Sequence, residues 1–328
     1  MTDAHATAAP IRDSRDRDAS QTDVLVIGSV NVDLGVHIGR LPRSGETMSS
    51  GGAFETGGGK GANQALAAAR LGADVTLLAA VGPDAEVALA PLRTAGVDLS
   101  GVLRFDDTMT GRAVLLVTPD DNAIVVAPGA NERLSPAHVA DRARGTRAPG
   151  IVVLQHEVPE ATVHAAIRQY AADSRVILNP SPSRSVPAEV LDLVDILVVN
   201  EGELAELADL AGLPTDATGT GLDAAAAERV LGSLPYGDVI VTLGEAGVLV
   251  RHDGAITALP AWSVDVVDTV GAGDAFLGAL AGALCAGEPL VEAARWATAA
   301  AAVAVTGVGA HGADLSPAAV RRLLDSAR

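Results

Sequence analysis

The stretch Asp268-Thr269-Val270-Gly271-Ala272-Gly273-Asp274 sits between an apolar, β-branched run (Val264, Val266, Val267) and a small-residue helical run, residues 275–286. A strand end is therefore expected to turn through glycines into a helix. Glycine lets a backbone come close to a ligand. The free N–H groups of a helix's first turn, with its dipole, attract anions. Asp274 lies just inside that positive end. Amides that hold a moving phosphate, beside a carboxylate that takes the proton of an attacking hydroxyl, are what phosphoryl transfer needs. Alone, the same residues also fit a glycine turn whose aspartate merely favours the dipole.

Other polar residues lie at positions suited to join them. Gly57-Gly58-Gly59-Lys60-Gly61-Ala62-Asn63-Gln64 opens a helix expected to run to residue 71. It is not a Walker phosphate loop, because Gly61 follows Lys60 where Ser or Thr is required and Phe54 stands at the first required glycine. Lys60 and Asn63, three apart at a helix start, share a face and could grip hydroxyls or a phosphate. Asn31 and Asp33 follow the buried strand 23–27, at the strand end where open parallel sheets bind ligands. They project together only if the chain stays extended. Glu157, Asn179, Asn200 and Thr242 close four further strands and would line the same sheet edge. Asn200 and Glu203 fit two readings equally: an N-capping box, or a hard cation such as Mg²⁺ held through few protein groups and several waters.

The elements that must position these groups alternate along the chain. Strands are expected at 74–80, 151–155, 176–178, 196–199 and 239–243, and helices at 84–95, 135–144, 160–171, 187–193 and 201–211. Such β-α units imply a parallel sheet covered on both faces. Residues 34–38 and 46–54 are expected to pair around the turn 41–45, and residues 112–117 and 123–126 around 119–122. Residues 219–221 read as a loop, Gly244-Glu245-Ala246-Gly247 as a tight turn between strands, and Asp253-Gly254 as a hairpin. Helices 290–305 and 317–327 flank the loop 306–312.

Composition narrows the function classes. Hydrophobic residues make up 48% but aromatics only 2%, so Ala, Val and Leu must build the core. A formal net charge of −18 argues against a nucleic-acid surface and gives an anionic substrate no help from the overall field. The single Cys285 rules out an internal disulfide and a Cys-rich metal site. No run is long enough for a membrane span. Residues 1–22 are polar and charge-mixed, and are expected to form a disordered arm rather than a signal peptide. A soluble, cytoplasmic protein is expected.

With both glycine-rich runs present in order, the chain from residue 23 onward resembles the ribokinase-like carbohydrate kinases. Gly58-Gly59-Lys60-Gly61-Ala62-Asn63-Gln64 is similar to the family's first signature, and Asp268-Thr269-Val270-Gly271-Ala272-Gly273-Asp274 to its second. The resemblance implies a three-layer α/β/α fold with a mainly parallel central sheet, over residues 23–328, and a small β-sheet lid near 34–54 and 112–126. It implies ATP-dependent phosphorylation of D-ribose at O5, with Asp274 as base and Gly271, Ala272 and Gly273 as anion hole. Asn31, Asp33, Gly59, Lys60, Asn63 and Glu157 would bind the sugar. Thr242, Gly244 and Gly247 match the nucleotide loop, and Asn200 with Glu203 the motif that organises Mg²⁺ and phosphates. Backbone oxygens of Asp268, Val270, Ala304, Gly307 and Gly309 match a K⁺ site, with Ala313 where the family has a Ser. A homodimer through the lid is implied too. Another pentose, deoxyribose or a nucleoside is the alternative acceptor. A catalytically silent sugar-binding regulator is disfavoured, since a pure binder needs no base.

Overall fold

The computed structural model describes residues 23–118, 122–213 and 222–326. The expected disordered arm, the tip of the turn at 119–121, the loop at 219–221 and the end of the last helix lie outside the described residues. In chain order the elements are β1 (Asp23–Ile27), β2 (Asn31–His37), β3 (Gly52–Gly58), α1 (Lys60–Arg70), β4 (Asp74–Val81), α2 (Glu86–Thr94), β5 (Val102–Arg104), β6 (Gly111–Val117), β7 (Asn122–Ala127), α3 (Pro136–Ala143), β8 (Ile151–Gln155), α4 (Glu160–Tyr170) and β9 (Arg175–Asn179). They continue with α5 (Ala188–Leu191), β10 (Ile196–Asn200), α6 (Glu201–Leu210), α7 (Ala224–Ser233), β11 (Asp238–Thr242), β12 (Val248–His252), β13 (Ala255–Leu259), α8 (Ala272–Cys285), α9 (Leu290–Ala304) and α10 (Pro317–Asp325).

Among the described residues, nine strands form one sheet in the order β13-β12-β11-β10-β9-β8-β1-β4-β5. Pairing is parallel from β11 to β5 and antiparallel at β11–β12 and β12–β13. Strand side chains alternate between two cores, as a pleated sheet buried on both faces requires. Val24, Val26, Val153 and Val198 pack with α1, α2, α8, α9 and α10, while Leu25, Ile27, Leu154 and Val199 pack with α3 to α7. Both cores are rich in Ala, Val and Leu, as the scarcity of aromatics demands.

A second sheet, in the order β3-β2-β6-β7, rises beside the end of β1. Here the strand boundaries differ from expectation. β2 begins at Asn31, so Asn31 and Asp33 are already in a strand, and β3 runs Gly52–Gly58 rather than 46–54. Gly57 and Gly58, read from sequence as the opening of a helix, instead pair with Val32 and Asn31. A Cβ built on Gly58 would lie 2.0 Å from Asp33 Oδ2, so a larger residue there would have to displace the carboxylate.

Two other expectations are corrected. The run before Asp268 is not a strand: among the described residues it pairs with none. Val267 N and Asp268 N both donate to Val305 O, at 2.8 and 3.2 Å, and Val266 and Val267 are exposed. Branched side chains favour a strand only where a sheet can receive it. Helix α7 was not anticipated, although Asp223 caps it through Ala226 N at 2.7 Å and Ala227, Val230 and Leu231 form its buried face.

Candidate active site

The N-termini of α1 and α8 meet, and their first turns carry the residues expected to do the chemistry. Asp274 is the third residue of α8, whose cap Gly271 takes a left-handed φ of 79°. A Cβ there would lie 2.7 Å from Ala310 Cα, so glycine is needed for the turn and for the close approach. Asn63 Nδ2 and Gln64 Nε2 each donate to Asp274, to Oδ2 and Oδ1, both at 2.9 Å. Asn63, expected to grip a hydroxyl, is thus first of all a partner of the acid. Gln64, named in the sequence only as part of a run, is the other.

The turn expected to form the anion hole divides its amides. Ala272 N donates to Thr269 O at 3.2 Å, and Val270 N to Asp268 Oδ1 at 3.0 Å. Among the described residues no partner engages the amides of Gly271, Gly273 and Asp274, so these three are the donors open to an anion. Of the expected set, Ala272 shapes the turn instead.

Asp33 faces this region from β2. Its Oδ1 is buried without a hydrogen-bond partner. Burial, then the charge of Glu157, raise its pKa to about 6; the Ala113 backbone amide opposes them, by more than the charge of Asp274 adds. A buried acceptor with nothing to accept is a place for a ligand hydroxyl. Glu157 is anchored at Oε2 by Ser29 Oγ at 2.5 Å and by Lys60 N at 2.9 Å, which ties the end of β8 to the start of α1. Gly59 caps α1 with φ 88°. Asn31 is buried and commits its Oδ1 to Asn131 Nδ2 at 2.8 Å, which leaves Nδ2 for a ligand. Ser29 and Asn131 were not legible as site residues, because their partners lie a hundred or more residues away.

The residues expected on the nucleotide side lie along the ends of β10 and β11. Asn200 and Glu203 do form a capping box: Glu203 N donates to Asn200 Oδ1 at 2.9 Å and Asn200 N to Glu203 Oε2 at 3.0 Å. Asn179 Nδ2 reaches the same Oε2 at 3.4 Å, which leaves Glu203 Oε1 for a water or a cation's shell. The box and the cation reading are therefore compatible. Thr242 Oγ1 donates to Val199 O at 3.3 Å, and Gly244 and Gly247 take φ values of 53° and 95° in the turn that follows.

The expected cation site brings together two loops. Asp268 Oδ2 accepts from Gly309 N at 2.8 Å, which pins one loop to the other. Among the described residues the carbonyls of Asp268, Val270, Gly307 and Gly309 accept no backbone amide. Ala304 O accepts from Gly307 N at 3.3 Å and Ala313 O from Leu315 N at 2.9 Å. Four carbonyls free of backbone amides thus lie on the two loops that the Asp268–Gly309 bond joins.

A pfkB family carbohydrate kinase model matches residues 21–316. The chain belongs to the pfkB family of carbohydrate kinases. This kinase chain is 36% identical to a ribokinase of Lactococcus lactis over 89% of its length and 93% of that protein's. It is 37% identical to a deoxyribokinase of Salmonella typhi over 88% of its length and 94% of that protein's. Its fold matches the structure of Arabidopsis thaliana ribokinase complexed with ribose and ATP, with a TM-score of 0.79 and 31% identity, over 92% of this chain and 98% of that one. Among the described residues no helix is long and apolar enough to cross a membrane.

Proposed function

We propose that this kinase transfers the γ-phosphoryl group of ATP to O5 of D-ribose, giving ribose 5-phosphate and ADP. The observation that carries the reading is the Asp274 carboxylate, held on both oxygens by amides beside three open N–H groups of the α8 turn. The acceptor hydroxyl gives its proton to Asp274 as its oxygen attacks phosphorus in line. The amides of Gly271, Gly273 and Asp274 receive the charge on the transferring oxygens. Asp33, with Nδ2 of Asn31, selects the sugar: an acceptor-only carboxylate can take two neighbouring hydroxyls. Ribose offers that pair and deoxyribose lacks one of them. Glu157, Gly59 and Lys60 complete the sugar side, and Thr242, Gly244 and Gly247 the nucleotide side.

Glu203 and Asn200 would hold Mg²⁺ through water, and the ion would draw negative charge off the nucleotide phosphates. Carbonyls of Asp268, Val270, Gly307 and Gly309 would hold K⁺, with Ala304 and Ala313 at its margin, and so place positive charge behind the anion hole. Turnover is expected to be higher in K⁺ than in Na⁺ at equal ionic strength; equal rates would remove this site from the account. We place the enzyme in the cytoplasm, where ATP is available, as a homodimer paired through the second sheet, which also lids the sugar.

The test is a panel of ribose, deoxyribose, other pentoses and nucleosides with ATP, read by ADP release. Ribose is expected to give the highest kcat/KM. A deoxyribose preference would favour the second reading, which the Salmonella typhi relative supports.

A further inference from the structure

The two amides that hold Asp274 could in principle be turned over, since a side-chain amide donates at one end and accepts at the other. What fixes them lies one residue further out. Asn63 Oδ1 is 2.9 Å from His311 Nε2, and Gln64 Oε1 accepts from Gln155 Nε2 at 2.5 Å. An ionised carboxylate only accepts, so Asn63 must turn Nδ2 toward Asp274 and Oδ1 away. His311 must then carry its proton on Nε2. A flipped Asn63 would set its oxygen against the Asp274 carboxylate and leave His311 facing an N–H₂. His311 is seated in turn: its carbonyl accepts from Arg70 Nη1 at 3.1 Å, and its loop is pinned where Gly309 N meets Asp268 Oδ2.

We propose that His311 is a positioning residue for the base: its Nε2–H fixes the amide of Asn63, which in turn aims one oxygen of Asp274 at the acceptor hydroxyl. His311 touches neither the sugar nor the reacting atoms. Gln155 does the same for the other oxygen through Gln64. Gln155 and Gln64 are fully buried, so changes there would also test packing, whereas His311 is partly exposed. The inference rests on the reading of Asp274 as the base. It also ties the loop of the cation site to the base through hydrogen bonds, a link the sequence could not show across 248 residues.

The test is a double-mutant cycle on the full chain. His311→Leu removes the donor, His311→Gln returns an N–H at similar reach, and Asn63→Ala removes the go-between. His311→Leu is expected to lower kcat roughly 10- to 100-fold, with KM for sugar and ATP within about twofold. His311→Gln should recover most of that loss, and His311→Leu should add nothing in the Asn63→Ala background. Wild-type kcat in His311→Leu, or full additivity with Asn63→Ala, overturns the proposal. So does a loss of kcat in His311→Leu that His311→Gln does not repair. A second readout needs no turnover. The Asn63 side-chain amide resonances, identified by their loss in Asn63→Ala, should shift in His311→Leu and stay near wild type in His311→Gln. Unchanged resonances in His311→Leu contradict the proposal whichever sugar is the substrate. A wild type inactive on ribose but active on another acceptor would fail the substrate reading alone, and the cycle is then read on that acceptor.

Discussion

Asp33, proposed to bind the sugar, is held at the expense of stability. Its pKa rises from 3.8 to about 6, mainly through burial, with Glu157 and Asp274 adding repulsion. A raised carboxyl pKa contributes stability that is fully present below about 3.8 and is lost as pH rises through about 6. Near neutral pH the folded protein therefore carries an unfavourable buried charge. Asp33→Asn removes it, and should stabilise the free enzyme at about pH 7.5 by roughly 1–2 kcal/mol, a figure discounted for partial exposure. Melting curves at about pH 7.5 and about pH 4 check this, because the gain should shrink at the lower pH. An equal gain at both would point to packing instead. The same variant should raise the ribose KM well over tenfold and leave the ATP KM nearly unchanged, since one buried hydroxyl loses its charged acceptor. Asp33 itself was legible from its place after a buried strand. Its orphan oxygen was not, nor were Gln64 and Gln155, because a buried glutamine in an apolar run has no local partner to betray it.

Helices α1 and α8 bring Asn63, Gln64 and Asp274 together because small residues let them touch. A Cβ built on Gly278 would lie 2.5 Å from Gln64 O and 2.7 Å from Ala67 Cβ. Gly278→Val must push the helices apart, which overpacking data put at roughly 1–3 kcal/mol. The melting temperature should fall, and kcat should fall with it, because the amides of α1 then miss the carboxylate. A variant that melts early yet keeps wild-type kcat would show that the helix contact does not set the site. Both helices were readable from their glycine-rich starts, and the parallel units from their apolar runs. The strand proposed before Asp268 failed because hydrophobic pattern does not reveal whether a sheet edge is in reach. The shifted start of β3 has the same origin: the need for Gly58 to pass Asp33 is a contact between strands, not a property of either.

The whole chain carries a net charge of −18, yet its reaction handles a polyanion, so attraction must come from local amides and cations. The second sheet ends in β3 on one side and β7 on the other. Ile124, Val125 and Val126 on β7 are 52%, 64% and 52% exposed, an apolar row on an edge strand of the sheet that adjoins the sugar site. Such a row is a liability in a lone protein and an asset in a pair. Val125→Lys should shift the protein from dimer to monomer in sedimentation velocity, with ribose KM rising as the lid loses its support. A wild-type chain that sediments as a monomer would contradict the pairing, as would a Val125→Lys protein that remains dimeric.

The proposed chemistry rests on Asp274 accepting a proton. Asp274→Asn keeps the side chain's shape, although one amide of Asn63 or Gln64 must turn over to meet its new N–H₂. Steady-state turnover and calorimetric binding, measured together on this variant, separate proton transfer from binding. A fall in kcat of roughly 10²–10⁴, with ribose and ATP still bound within a few-fold of wild type, is the expected result. Turnover near that of the wild type would contradict the assignment, and the base would have to be sought elsewhere, with Glu157 the next carboxylate to test.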